Sequence, residues 1–408
     1  MWKLIFLAAL LLRFVWDLTL TLLSNKQVGK PLPKSVQGIY NDEEYNKWRR
    51  YNNKKDKLGL VSSVLALAIN IVLFCTNIVS VIYNFMPGGI FVKAILCFLS
   101  IGLVETIISL PLEYVFNFKI EAEFGFNKIT PKTFVADAIK NYLIGNVLNI
   151  IIFGLILIAY KVLGNYFGII AFIGLALILV LISTFASAFS KIFNKFTSLP
   201  EGELRTNLTT MFENAGYKLK DIYVMDASKR TTKANAYCAG LGKMKQIVLY
   251  DNLVNNYSAG EITAVFAHEL AHFKNKDTTK MTFFNTLNFL PMMVMATVMM
   301  LVPSIAQGFG FEGANIFFAF YVSFGSVLSM VTQLLMIPFN AMSCYFERRA
   351  DTFASELGYG DELISGLRKL CKDSLADMNP HPVVVKLTYN HPPLHERIEL
   401  IESKKKNN

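Results

Sequence analysis

The stretch Ala267-His268-Glu269-Leu270-Ala271-His272 has the form HExxH. On a helix, residues four apart lie on one face, so His268 and His272 can offer two imidazole nitrogens to a single tetrahedral Zn2+. Glu269, one step round, then faces a water held by the metal. Zinc lowers the pKa of such a water to about 7, and a neighbouring carboxylate can accept its proton and later pass it to a leaving amine. That is the chemistry of peptide-bond hydrolysis. The bland alternative is an amphipathic helix that happens to carry two histidines, and the context argues against it. All five histidines of the chain lie beyond residue 260. Upstream, Ser258 stands as a cap, and small and apolar residues then recur at helical spacing into the motif.

Two histidines need a third protein ligand if one position is left for water. The segment Glu347-Arg348-Arg349-Ala350-Asp351 offers Glu347, with Asp351 one helical turn on along the same face. Such a pair can divide the labour: Glu347 on zinc, Asp351 hydrogen-bonded to a ligand histidine to fix its tautomer. In the tail, Asn390-His391-Pro392-Pro393 leads to Arg397. Either His391 or Arg397 could stabilise the negative charge that forms on an attacked carbonyl oxygen. For His381 and His395, turn or capping roles are expected.

The rest of the 408-residue chain places this motif in a membrane. It is 53% hydrophobic and 13% aromatic with only 17% charged residues, too apolar for an ordinary soluble protein. The net charge of +10 does not indicate nucleic acid, because excess Lys and Arg in a membrane protein marks cytoplasmic loops. Its five cysteines lack CxxC spacing, so neither a disulfide framework nor a cysteine zinc site is implied. Apolar runs of about 20 residues, enough to cross a bilayer, occur at 2–23, 58–83, 90–116, 142–163, 167–190, 281–303 and 315–340. The expected class is mainly α: seven transmembrane helices with a small α+β zinc metalloprotease domain of HExxH type. The corresponding division is 1–190, five spans with cytosolic loops; 191–280, the protease domain; 281–340, spans six and seven; and 341–408, the cytosolic part carrying the third ligand and the tail.

Segment 25–57 holds nine Lys or Arg residues, and 117–141 is also basic, whereas the alternate connections have none. The positive-inside rule then puts the amino terminus on the luminal or extracellular side and both 191–280 and 341–408 in the cytosol. The sequons Asn207-Leu-Thr and Asn256-Tyr-Ser fall on the cytosolic side, so a glycan on either would overturn this orientation. Within the apolar runs, Arg13 and Asp17 can pair at i, i+4. Glu105 and Glu113 share a face that could line a water-filled cavity or serve interhelical hydrogen bonds. In the soluble segment a helix is expected at 203–215 and strands at 221–225 and 246–250. Asn235-Ala236-Tyr237 lies between the strands, either as a plain hairpin or as an edge that pairs with an extended peptide.

The combination resembles the type I CAAX prenyl endopeptidases, the seven-span membrane zinc proteases. The markers, spread over nearly the whole chain, are Ile120-Glu-Ala-Glu-Phe-Gly-Phe-Asn-Lys128, Leu199-Pro-Glu-Gly-Glu-Leu204, Ser228-Lys-Arg230 with Asn235-Ala-Tyr237, His268-Glu-Leu-Ala-His272, Glu347-Arg-Arg-Ala-Asp351 and Asn390-His-Pro-Pro-Leu394. The resemblance implies a ring of helices around an intramembrane chamber, one zinc ion, and isoprenylated Cys-a-a-X proteins or peptides as substrates, cut to remove the last three residues. It also implies that Asn235, Ala236 and Tyr237 hold the substrate backbone, with His391 and Arg397 near the scissile carbonyl. Ala271 and Phe273 depart mildly from the family's HELGHW. Cys344 stands where the family usually has a basic residue, and Arg348 and Arg349 where it has uncharged ones. The terminal Lys404-Lys405-Lys406-Asn407-Asn408 resembles a dilysine retrieval signal of the endoplasmic reticulum, and the oligomeric state is left open. A lipid-independent quality-control protease and a non-catalytic zinc-stabilised scaffold are the rival readings. Seven spans and the Phe-Gly-Phe-Asn-Lys segment disfavour the first; Glu269 beside a three-ligand site disfavours the second.

Overall fold

The computed structural model describes residues 1–184, 193–239, 244–325 and 329–405. The end of the apolar run at 185–190 and the last residues of the basic tail, 406–408, lie outside them. Five helices are long and apolar enough to cross a membrane. These are α1 (Trp2–Gln27), α2 (Asp42–Cys75), α4 (Ile90–Tyr114) with its continuation to Glu121, α5 (Pro131–Leu163), and the nearly continuous α10 (Asp277–Leu287) and α11 (Phe289–Leu301). A shorter apolar helix, α6, covers Phe167–Thr184.

Several apolar runs have different edges from those expected. Helix α2 starts at Asp42, so the charged stretch before residue 58 is helix rather than loop. The Asn41 side chain accepts from the Glu44 amide and the Glu44 carboxylate from the Asn41 amide, a reciprocal cap that starts the helix before any apolar residue is reached. At 34 residues α2 is about 50 Å long. A hydrocarbon core is about 30 Å thick, so the charged first turns project beyond it. The run at 58–83 breaks at Thr76-Asn77 into α2 and α3 (Ile78–Phe85), the Thr76 hydroxyl donating to the Val72 carbonyl at 2.6 Å. The run at 315–340 divides into α13 (Ile316–Phe324) and the first part of α14 (Ser329–Ala354). Arg13 and Asp17 do pair, at 2.7 Å, and Arg13 also donates to the Ser329 carbonyl of α14 at 3.3 Å.

The soluble part carries a four-stranded sheet of β1 (Phe196–Ser198), β2 (Lys218–Met225), β3 (Ala236–Ala239) and β4 (Met244–Tyr250), in the order β1-β2-β4-β3. Strands β2 and β4 run parallel with Ile222 opposite Ile247, and β3 pairs antiparallel with β4 at the sheet edge. Helix α7 (Glu203–Asn214) packs Leu208 and Phe212 onto Ile222, Ile247 and Leu249, and the same core takes in Phe266 and Leu270 of α9 (Ala259–Lys274). Burying each of these side chains is worth about 1.5–3 kcal/mol, and the gain fixes α9 against the sheet.

Two of the stretches quoted above meet where the membrane part joins the sheet. The Lys128 amide donates to the Arg230 carbonyl at 3.0 Å and the Thr232 amide to that of Phe126 at 3.2 Å. Beneath them the buried Glu121 accepts from Tyr51 of α2 and from Lys233 Nζ at 2.9 Å, while that ammonium lies 4.4 Å from the Phe126 ring centre.

Candidate active site and metal centre

Helix α9 begins with a reciprocal cap: Ser258 Oγ accepts from the Glu261 amide and Glu261 from the Ser258 amide. It then buries Ile262, Ala264, Phe266, Ala267, Leu270 and Ala271, which leaves its motif face no freedom to rotate. On that face His268 Nε2 and His272 Nε2 lie 3.2 Å apart. Helix α14 packs along α9 and places Glu347 opposite them, Oε2 at 3.3 Å from His268 Nε2 and Oε1 at 3.3 Å from His272 Nε2.

Each imidazole is turned by a carboxylate on its far nitrogen. His268 Nδ1 lies 2.8 Å from Asp351 Oδ1, and Asp351 is wholly buried. Arg397 from α17 (Leu394–Lys405) grips that carboxylate with Nε at 2.8 Å and Nη2 at 2.7 Å. Burial pushes the Asp351 carboxyl up, but the Arg397 guanidinium and the His268 ring together outweigh it and hold the group below the usual range. His272 Nδ1 lies 3.1 Å from Asp277 Oδ2, a partner the sequence reading did not find. Its only sequence signal was a carboxylate at the start of the next helix. Lys276, left-handed at φ 56°, turns the chain between α9 and α10 and brings the buried Asp277 back under His272.

With both Nδ1 atoms on carboxylates, both Nε2 atoms face one point. Glu347 Oε2 is buried there without a hydrogen-bond partner, and one ligand atom from each of His268, His272 and Glu347 lies within 4.8 Å of the others. The electrostatics ask for a cation. Burial pulls the His268 pKa down, yet the Asp351 and Glu347 carboxylates raise it to about 9. The Glu347 carboxyl, which burial alone would push up, is held far below the ordinary range by the imidazoles. Two imidazole nitrogens and one carboxylate oxygen fit a catalytic zinc site with a position to spare.

The other expected residues are placed as follows. Glu269 is half-buried beside the ligand pair, and its carboxylate makes no hydrogen bond among the described residues. His391 is exposed, its Nε2 3.4 Å from Glu347 Oε1 and its Nδ1 2.8 Å from Asn390 Oδ1. Arg397 Nη2 comes within 3.9 Å of Glu347 Oε2, but its closest contacts are to Asp351. Asn235, Ala236 and Tyr237 are not bonded to the cluster; the Asn235 carbonyl accepts from the Tyr250 amide at 3.0 Å, and Tyr237 Oη is buried without a partner. His381 caps α16 (Pro382–Thr388), accepting from the Val383 amide at 3.2 Å.

Residues 198–405 match the model of peptidase family M48, and residues 21–195 match that of the CAAX prenyl protease N-terminal region, described as five membrane helices. The chain is 30% identical to the CAAX prenyl protease 1 homolog of Oryza sativa subsp. japonica, over 98% of each. It is 29% identical to CAAX prenyl protease 1 of Saccharomyces cerevisiae, over 100% of this chain and 97% of that one. The crystal structure of S. mikatae Ste24p superposes with a TM-score of 0.93 at 28% identity, covering 98% of this chain and 99% of that one.

Proposed function

The chain belongs to peptidase family M48 and is a membrane metalloprotease, and from that premise we propose that it removes the last three residues from isoprenylated proteins ending in Cys-a-a-X. The observation that carries the reading is the complete His268, His272 and Glu347 set held at the base of an apolar helical bundle. Zinc, one ion per chain, is the proposed metal, with those three residues as its ligands. When bound, it polarises the scissile carbonyl and makes water a nucleophile near neutral pH.

The chain's own residues do the rest. Glu269 takes the proton of the attacking water and delivers it to the amine of the departing tripeptide. His391, exposed on the open side of the cluster, donates to the carbonyl oxygen as negative charge builds there. Arg397 adds positive potential from behind Asp351 while keeping His268 in place. The open edge of β3, with Asn235, Ala236 and Tyr237, accepts the substrate backbone by strand addition. We assign seven spans to the bundle, adding α6 and the α13–α14 segment to the five long helices, with the four-part division of the chain given above. Glu105 and Glu113, both exposed along α4, favour a hydrated chamber within it, because a lipid-facing carboxylate would be costly. A cytosolic catalytic side, in the membrane of the endoplasmic reticulum, is part of the same proposal, and the basic connections support the orientation.

The test is release of the terminal tripeptide from a farnesylated Cys-a-a-X peptide by the purified protein, with its unprenylated twin alongside. Strong preference for the prenylated peptide is expected. Equal cleavage of both would leave a metalloprotease and discard the prenyl assignment.

A further inference from the structure

Arg349 stands two residues from both Glu347 and Asp351 on α14, yet it points to the other histidine's support. Its Nη2 donates to Asp277 Oδ1, whose other oxygen is the one 3.1 Å from His272 Nδ1. The guanidinium carbon sits 5.3 Å from the Phe346 ring centre and 5.8 Å from that of Tyr345, so the fork is held by aromatic faces as well as by charge. The arrangement repeats, on the opposite side of the cluster, the chain His268, Asp351, Arg397. Each ligand imidazole has its own aspartate, and each aspartate its own arginine.

The two copies are built differently. Asp351 and Arg397 join the end of α14, beyond the apolar run that stops at residue 340, to α17. Asp277 is the first residue of α10, the foot of a membrane-crossing segment, and Arg349 reaches it from the helix that carries Glu347. Lys280 Nζ, one turn along α10, lies 3.8 Å from the same Asp277 oxygen but is more exposed. Asp277 itself is 3% exposed, and a carboxylate so buried is retained only when its partners repay the lost hydration. Arg349 is the close partner that does so.

We propose that Asp277, clamped by Arg349, is the positioning residue that aims His272 Nε2 at the metal, and that this clamp ties the ligand geometry to the foot of α10. The proposal rests on the zinc reading given above. Its expected size is that of outer partners of metal-bound histidines generally, a loss of roughly 10–100-fold in metal affinity.

The experiment is a competition titration of zinc against a chromophoric chelator, on the full-length protein in detergent, with melting temperature measured in parallel. Asp277→Ala should weaken zinc about 10–100-fold, and Arg349→Gln should weaken it in the same direction. Because single changes leave an unpaired buried charge and can impair folding, the deciding variant is Asp277→Asn with Arg349→Gln, which removes both charges of the clamp and leaves only the more exposed Lys280 nearby. It should melt close to the parent while binding zinc about tenfold more weakly. Zinc bound by this folded double variant with parental affinity would overturn the clamp. A parent that fails to bind zinc would instead overturn the zinc reading, so the two failures are distinct.

Discussion

Asp351 Oδ1 and His268 Nδ1 lie 2.8 Å apart in the most buried part of the catalytic cluster. The contact turns the imidazole so that its Nε2 faces Glu347. It also leaves the carboxylate wholly dependent on Arg397 for its remaining charge compensation. Asp351→Ala should therefore lower zinc affinity by roughly 10–100-fold and cost about 3–5 kcal/mol of stability through the stranded guanidinium. Chelator competition and thermal melting measure the two effects; unchanged affinity in a folded variant would refute the orienting role.

Glu269 is the expected proton carrier. Glu269→Gln should hold zinc at full stoichiometry and lose roughly 10²–10⁴-fold in turnover. Metal analysis of the purified variant, set beside its tripeptide release, makes the check. Cleavage at the parental rate would sink the assignment.

Stripping the metal with a chelator should abolish cleavage, and one equivalent of zinc per chain should restore it. Recovery that needs two equivalents would contradict the single His268, His272 and Glu347 site.

The Ser258 and Glu261 cap sets the start of α9. Ser258→Ala should cost about 1 kcal/mol. Burial pushes the Glu261 carboxyl up, but the Ser258 amide and the Ser365 hydroxyl outweigh it and hold it below the ordinary range. With a depressed folded value, the stabilisation is present above the unfolded pKa of about 4.3 and is lost as pH falls through the folded one. Glu261→Gln should thus melt below the parent at pH 7 and converge with it in acid, as melting curves across that range would reveal; a constant gap would exclude the linkage.

Gly310 is left-handed, at φ +87°, where a Cβ would lie 2.5 Å from Ser80 Oγ and 2.9 Å from Asn77 Cγ. Gly310→Ala should destabilise by roughly 1–3 kcal/mol, read as a lowered melting temperature. An unshifted melt would show that α3 moves aside.

What the sequence disclosed follows from how local its signals are. His268, Glu269 and His272 share one turn of helix, so their spacing alone presents the chemistry, and Glu347 with Asp351 repeats the case on a second helix. Asp277 escaped because its link to His272 depends on a left-handed Lys276, which no periodicity announces. Arg397 was read as a group for the substrate, whereas its nearest partner is Asp351, a contact between residues 46 apart in sequence. Hydropathy found the apolar runs but not their edges, since the capped, charged opening of α2 is invisible to it. Strands β2 and β4 were legible as apolar segments. Their parallel pairing, with β3 added at the outer edge, depends on the cover supplied by α7 and α9.

The ligand set straddles the chain segment from α10 to the first half of α14. His268 and His272 are synthesised before that segment and Glu347 only after it, so a nascent chain lacking residue 347 cannot close the site however much of the protease part has folded. On the zinc reading proposed above, the metal would be captured only once the last of these segments has been made, because the three ligands form one site only then.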